Sequence, residues 1–353
     1  MQASRKVGTD YFPSMRTHTL IFSTLLLTGA TAGLQSQAYH VTHTYTLGGA
    51  GGWDYLSLDT VGHRLFVARQ DRVMVLDPAS GKLLAEIPGL NRAHGVAFDY
   101  AGGKGFATSG GDSSVVIFDL KTLQVTGRTI AAPDADAVLF DPSTKRIFTF
   151  NGDSRSSSVI DAASGRKIGT IDLGGGPEFA VSAGDGKLYV NLEDSSAVVE
   201  IDAAAMKVLR RWPLAPCESP SGLAIDREHH RLFSGCHNKV MAISDAQAGK
   251  VVATVPIGQG VDADRFDPGT QLAFASTGDG NITVVHEDAP DKYTVVGTVA
   301  TKRGARTMEV DLTSHVVYTV SADFGQPPAP SADQPRPRPP ILPGTFALLV
   351  LER

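Results

Sequence analysis

Seven times along the chain an alternating apolar run closes on an acidic or small residue at a nearly fixed interval. The runs read WDYLSLD (53–59), AHGVAFD (93–99), ADAVLFD (135–141), EFAVSA (178–183), SGLAID (221–226), VDADRFD (261–267) and ARTMEVD (305–311), with last residues 40 to 44 apart. A second run follows each (RLFVARQ, RIFTFNG), then a third (RVMVLD, SSVID) and, in six units, a fourth (KLLAEIP, RKIGTID). Four short strands per repeat, with turn residues between them, is the pattern of a β-propeller blade. One blade cannot bury both its faces, so neighbours in a ring must supply the core. The chain is therefore expected to be all-β, a seven-bladed β-propeller.

The seventh unit stops at GTFALLVLER without a fourth run, while YHVTHTYTLGG (39–49) stands unassigned at the other end and resembles fourth runs such as VVATVPIGQG. The N-terminal strand is expected to pair in the last blade and close the ring, which leaves no open sheet edge there. The last unit also carries QPPAPSADQPRPRPPILP (326–343) between its second and third runs. Its prolines exclude it from the ladder and favour extended chain, either as a loose loop or as a partial cover over the channel mouth.

Residues 1–38 lie ahead of the repeats. MRTHTLIFSTLLLTGATAGLQSQA begins at Met15 with a basic residue, is apolar from Leu20 to Leu27, and ends in the small-residue sites Ala30-Thr31-Ala32 and Ser36-Gln37-Ala38. That apolar run is too short to span a bilayer, and the whole reads as a secretory signal with Met15 as the true start. The propeller, 39–353, is then expected to be periplasmic or secreted, to act as a monomer, and not to insert in a membrane once the signal is removed. A net charge of −5 argues against nucleic acid or another polyanion as a general partner.

The recurring VxVxD-type third runs, the Ser80-Gly81-Lys82 and Ser164-Gly165-Arg166 turns, and the stretches CESPSGLAIDREHHRLFSGCHN and GVDADRFDPGTQLAFASTGDG are similar to the YncE-like group of YVTN-type seven-bladed propellers, which are exported bacterial proteins. The resemblance covers residues 39 to 353. It implies the fold and export. Propellers of this kind serve as binding platforms, related folds host lactonases, lyases and dehydrogenases, and single-stranded DNA binding is described in the YncE group.

Five residues before each closing position stand Asp54, His94, Asp136, Glu178, Ser221, Asp262 and Arg306. All are expected where an innermost strand enters from one rim, facing the channel. A purely structural repeat would keep one residue type there. Acids, an imidazole, a hydroxyl and a guanidinium are instead the groups of binding, metal ligation and proton transfer, although a wet channel mouth tolerates any polar residue. Asp54, His94, Asp136, Glu178, Asp262 and Arg306 are the candidate ligand-binding set, with His94 and Asp54 as catalytic candidates. Asp54, His94, Asp136 and Glu178 form an oxygen-rich set suited to calcium, magnesium or manganese, but four separate blades are expected to hold them too far apart to share one ion. Without an ion, crowded carboxyls raise one another's pKa and make an acid–base group with His94.

Arg306 is expected to pair with Asp262, or to anchor the anionic end of a ligand. Arg265 and Glu309 are expected to form an inter-blade salt bridge. Trp53, Tyr55 and Phe179 read as packing groups, and Asn151, Asn191, His237 and Asn238 as residues of second-to-third-strand turns on the same rim. The run RLFSGC folds back on SGLAID and returns Cys236 towards Cys217, so that in an oxidising compartment the two are expected to form a disulfide. Two reduced thiols, or a thiolate metal pair with His237, are the alternatives. GGAGG (48–52) opens no helix and is not a phosphate loop. No nucleophile elbow, P-loop, HExxH or haem-attachment motif is present.

These features favour a binding platform that recognises a small polar ligand or a protein partner at the channel rim without turnover. A lactonase- or lyase-type enzyme using the acid and histidine ring with a divalent metal is the first alternative, and single-stranded DNA binding the second.

Overall fold

The aspartate that closes each inner run is a turn device. Buried Asp59, Asp99 and Asp141 accept hydrogen bonds from the backbone N–H of Gly62 (2.8 Å), Gly102 (2.9 Å) and Thr144 (3.0 Å). Asp226 and Asp267 do the same for Glu228 and Gly269. These Asx turns reverse the chain into the second run. Asp77 and Asp161 cap the turns after the third runs, and the hydroxyls of Ser80 and Ser164 hold their carboxyls below the usual aspartate range.

A computed structural model describes residues 8–9, 38–331, 335 and 337–353; the expected signal segment lies outside the described residues apart from positions 8, 9 and 38. The described chain holds 28 strands in seven four-stranded antiparallel sheets. Blade one runs from Leu56–Asp59 out to Leu83–Pro88, and five more follow in chain order. Blade seven is built from Met308–Val310, Val317–Ser321 and Ala347–Glu352, with His40–Thr46 as its fourth strand. That strand pairs antiparallel with Ala347–Glu352 from His40–Glu352 to Thr46–Ala347, as the sequence pattern predicts. The first strands of successive blades are neighbours all the way round, the last touching the first.

Burial follows position within the blade. Second and third strands are buried almost throughout, because a neighbouring sheet covers each face, whereas fourth strands alternate towards solvent. Basic residues that open second strands tie blades together: Lys104 Nζ donates to Ala162 O, Arg146 Nη1 to Ala203 O (2.8 Å) and Arg231 Nε to Pro290 O (2.6 Å). Among the described residues no helix is long and apolar enough to cross a membrane.

The described residues of the insertion in blade seven stay out of the blade sheets, and the chain at its two ends pairs with itself. Phe324 pairs with Ile341, Gly325 N–H donates to Pro340 O (2.8 Å) and Leu342 N–H to Asp323 O (2.8 Å). This stem and the rim enclose a cleft of about 470 Å³ that Trp53, Arg303, Arg306 and Arg338 help to line.

Candidate functional site: the channel mouth

Five of the seven ring residues sit where their inner strand breaks register. In blades two to five the pairing slips between Ala93 and Val96, Ala135 and Val138, Pro177 and Ala180, and Pro220 and Leu223; in blade six it slips between Val261 and Ala263. His94, Asp136, Glu178, Ser221 and Asp262 each fall inside such a bulge, a device that re-aims a side chain. Neighbouring blades hold the bulged backbone in place. Thr108 Oγ1 donates to Asp136 O (2.5 Å), Thr307 Oγ1 to Asp54 O (3.1 Å), Asn191 Nδ2 to Ser221 O (3.1 Å) and Ser276 Oγ to Arg306 O.

The seven side chains converge. His94 Nδ1 lies 2.5 Å from Asp54 Oδ2 and 3.2 Å from Asp136 Oδ1. Arg306 Nε donates to Asp262 Oδ2 (2.6 Å), and its Nη2 is 3.6 Å from Asp54 Oδ1. Ser221 lies between Asp262 (3.3 Å) and Glu178 (3.4 Å). Polar contacts thus run from Asp136 through His94, Asp54, Arg306, Asp262 and Ser221 to Glu178. Between Asp136 and Glu178 the circuit is open: among the described residues no hydrogen bond joins them, and buried Asp136 Oδ1 has no hydrogen-bond partner.

Arg92 Nη2 lies 3.4 Å from His94 Nε2, so a donor faces that nitrogen while Asp54 offers an acceptor to Nδ1. This arrangement suits the tautomer with its proton on Nδ1. The Asp54, His94 and Asp136 ligand atoms all lie within 4.8 Å of one another, closer than separate blades suggest, because the inner strands converge at the axis; Glu178 falls outside this cluster.

Next to the ring position Asp54, Tyr55 is buried and packs edge-on to Phe179 with centroids 4.9 Å apart. Trp53 packs instead on Phe346 (5.3 Å) and on Phe324 of the insertion stem. Arg265 and Glu309 form the expected inter-blade bridge through two contacts of 2.9 and 3.2 Å. Cys217 and Cys236 are disulfide-bonded, which removes the free-thiol and metal alternatives. Asn151 and Asn191 are not turn residues. Both are buried within second strands, Asn151 bonded to Ser156 and Asn191 crossing to the next blade, because their positions fall before the reversal.

Asp264, also in the inner strand of blade six, has no counterpart among the expected site residues. It is fully buried, with one oxygen taking the Gly235 N–H and the other unpartnered. Only a glycine at 235 leaves it room, since a Cβ there would stand 2.5 Å from its carboxylate. The signal in the sequence is a third acid in VDADRFD.

Burial pushes Glu178 up to about 9, with Asp136 as the next cause, and raises Asp264 to about 8. Asp262 rises to about 6, burial outweighing the opposing Arg306, and Asp136 is driven well above the usual aspartate range by burial and then by Asp54. Such groups bind protons more tightly folded than unfolded. Their stabilising effect is complete below the unfolded carboxyl range and is lost as pH rises through the folded values, at about 1.4 kcal/mol per pH unit for each group in its window. The melting temperature is therefore expected to fall steadily from pH 5 to pH 9, with Glu178→Gln and Asp264→Asn each flattening the slope. A melting temperature that holds or rises across that range contradicts the assignment.

No family model matches the chain. In sequence it is 30% identical over 148 residues to the YncE protein of Salmonella typhimurium, covering 40% of this chain and 42% of that one. It is 29% identical over 148 residues to YncE of Salmonella typhi, with the same coverage. The chain thus matches about two fifths of the length of these curated relatives. Among solved structures, the WD40 repeats of RRP9 superpose with a TM-score of 0.74 at 12% identity, covering 90% of this chain and 99% of that one. Hydrazine synthase of Kuenenia stuttgartiensis gives 0.67 at 16% identity, covering 76% and 92%. At such identities these structures speak for the fold alone. The disulfide, and the lack of a membrane-spanning helix among the described residues, are compatible with an exported protein. The closed ring makes the chain a seven-bladed β-propeller, similar in sequence to the YncE proteins over about two fifths of its length.

Proposed function

We propose that the channel mouth binds, without turnover, a small polar ligand that carries a cationic group. The observation that carries this reading is the open place between Asp136 and Glu178. Both carboxyls there are raised by burial, with Asp54 as the next cause at Asp136 and Asp136 as the next cause at Glu178, and among the described residues no cation donates a hydrogen bond to the unpartnered Asp136 oxygen. A ligand ammonium seated there would supply the missing donor and relieve both carboxyls. Arg303, Arg306 and Arg338 around the adjoining cleft suit an anionic end of the same molecule. The ring has one hydroxyl, Ser221, and it faces Glu178 and Asp262 rather than His94, so no base–nucleophile pair is assembled. Four carboxyls at the mouth oppose a phosphate backbone.

A divalent ion on Asp54, His94 and Asp136 is the second reading, favoured by their proximity. Against it stand Arg92 and Arg306, whose guanidiniums already face His94 and Asp54.

Calorimetric titration with putrescine, glycine and acetate tests the first reading. The amine-bearing probes are expected to bind and acetate not. Glu178→Gln and Asp136→Asn should each weaken binding at least tenfold. Affinity should rise between pH 7 and 9, because Glu178 must shed its proton to meet a cation. Acetate binding as tightly as the amines, or affinity unchanged in both variants, would falsify the reading. Metal uptake by the stripped protein that disappears in an Asp54→Asn, His94→Ala double variant supports the second.

A further inference from the structure

One position breaks the blade pattern at the end of the ring opposite the ligand mouth. Just after the third strand of blades two to five stand Leu120, Ala162, Ala203 and Ala246, all buried. Each donates its backbone N–H to a carbonyl of its own blade's first turn: Gly103, Lys145, Gly186 and His230. Glu287 makes the equivalent bond to Gln271 O (2.9 Å) in blade six, and is therefore the same position carrying a carboxylate. It is 4% exposed. Its Oε2 has no hydrogen-bond partner, and its Oε1 has only two long contacts of 3.5 Å, from the Tyr293 hydroxyl and from His229 Nδ1. A buried carboxylate where four blades place an apolar side chain is costly unless something compensates it.

The groups beside it come from the REHH turn of blade five. Asp226 is 2% exposed; its Oδ1 takes the Glu228 N–H (2.9 Å) and its Oδ2 the His229 N–H (3.1 Å). His229 Nδ1 lies 2.6 Å from Asp226 Oδ2 and 3.5 Å from Glu287 Oε1. One ligand atom from each of the three residues lies within 4.8 Å of the others. The nearby cation is already engaged: Arg231 contacts Asp245 (3.3 Å) and Asp291 (3.0 Å) and donates to Pro290 O and His229 O. The imidazole is about one-third exposed, which leaves a route in from solvent.

We infer that Asp226, His229 and Glu287 form a divalent-metal site between blades five and six, taking an ion of the zinc class. Two carboxylates and one imidazole match the ligand types of zinc, at about 2.0–2.2 Å from each donor atom, and leave a coordination position for water. His229 Nδ1 already stands between the two carboxylates, 2.6 Å from one and 3.5 Å from the other. His229 ligates through unprotonated Nδ1, with Nε2–H turned outwards. The ion gives Glu287 the partner it lacks and fastens the blade-five turn to the third strand of blade six.

The test strips the full chain with EDTA and titrates it with zinc chloride at pH 7.5, in calorimetry and in thermal melts. One equivalent is expected to bind and to raise the melting temperature by several degrees at a hundredfold excess over Kd. Glu287→Ala, a residue that three other blades accept at this position, is expected to fold and to bind zinc at least tenfold more weakly, and His229→Ala likewise. The Asp54→Asn, His94→Ala variant is expected to keep the equivalent, which separates this site from the channel mouth. Wild-type stoichiometry and affinity in both Glu287→Ala and His229→Ala, or no zinc uptake by the stripped protein, overturns the inference. Calcium binding as tightly as zinc overturns the assignment of ion class.

Discussion

A chain lacking residues 39–48 is expected to lose its cooperative melt and to associate. The missing strand is the whole outer edge of blade seven, paired from His40 to Thr46 with Glu352 to Ala347. It also joins the ring on both sides. Towards blade six, buried Tyr39 packs edge-on to Phe274 (5.3 Å), while its hydroxyl donates to His315 O (2.8 Å) within blade seven. Towards blade one, the Tyr45 hydroxyl reaches Ala79 O (2.7 Å). Burial of Tyr39 alone is worth about 2 kcal/mol, and the ladder and the second tyrosine add to it. The loss is several kcal/mol, against a typical total of about 5–15 kcal/mol. It also bares the ALLVLE strand as an apolar edge open to pairing with another chain. Circular dichroism melts and size-exclusion chromatography read the effect, and a peptide of residues 38–48 added in trans should restore part of the melt. A truncated protein that melts within about 3 °C of the full chain and runs at the same elution volume shows that the ring does not depend on this strand.

Arg69→Met is expected to cost about 3 kcal/mol, read as a fall of roughly 6–10 °C in melting temperature. Arg69 is fully buried. Its guanidinium meets three carbonyls of the glycine run, Ala50 O (2.8 Å), Gly51 O (3.1 Å) and Gly52 O (3.0 Å), and stacks 3.6 Å from the centroid of Phe346. Burial lowers its pKa to about 10, with Arg72 as the next cause, which shows how much solvation the carbonyls must replace. Methionine fills the volume but leaves the Gly51 and Gly52 carbonyls without that donor and Ala50 O with only a long contact from Arg72 Nη2 (3.5 Å). The glycine run leads directly into Trp53 and Asp54, so ligand binding at the mouth should weaken as well. Arg69→Lys should recover only part of the loss, since one ammonium cannot reproduce the fork. A variant with methionine that melts like the wild type shows that water serves those carbonyls equally well.

The channel mouth divides cleanly into what spacing reveals and what it hides. Counting five residues back from the end of each inner run brings Asp54, His94, Asp136, Glu178, Ser221, Asp262 and Arg306 to one place, because a repeat puts equivalent residues at equivalent depth. The pairings Arg306–Asp262 and Arg265–Glu309 were legible because opposite charges occupy matching positions in adjacent blades. The distance between His94 and its two carboxylates was not, since it depends on how tightly the inner strands close around the axis. Asn191 reads as a turn former and Thr108 as an ordinary strand residue, yet each holds the backbone of a ring residue on the next blade. The glycine run gave no sign that its carbonyls face a buried arginine.

By itself the amino-acid order determined the number of blades, the closure by the N-terminal strand, the shared rim of the ring residues and the partners in the disulfide. These properties follow from periodicity and from short-range chain reversal, both of which are written in register along one dimension. Tertiary structure alone decided that the polar circuit stays open between Asp136 and Glu178, that Asp264 is buried, and that Glu287 faces Asp226 and His229. Those outcomes rest on contacts between blades, where tenths of an ångström and the loss of solvent set the energies, and no spacing along the chain encodes either.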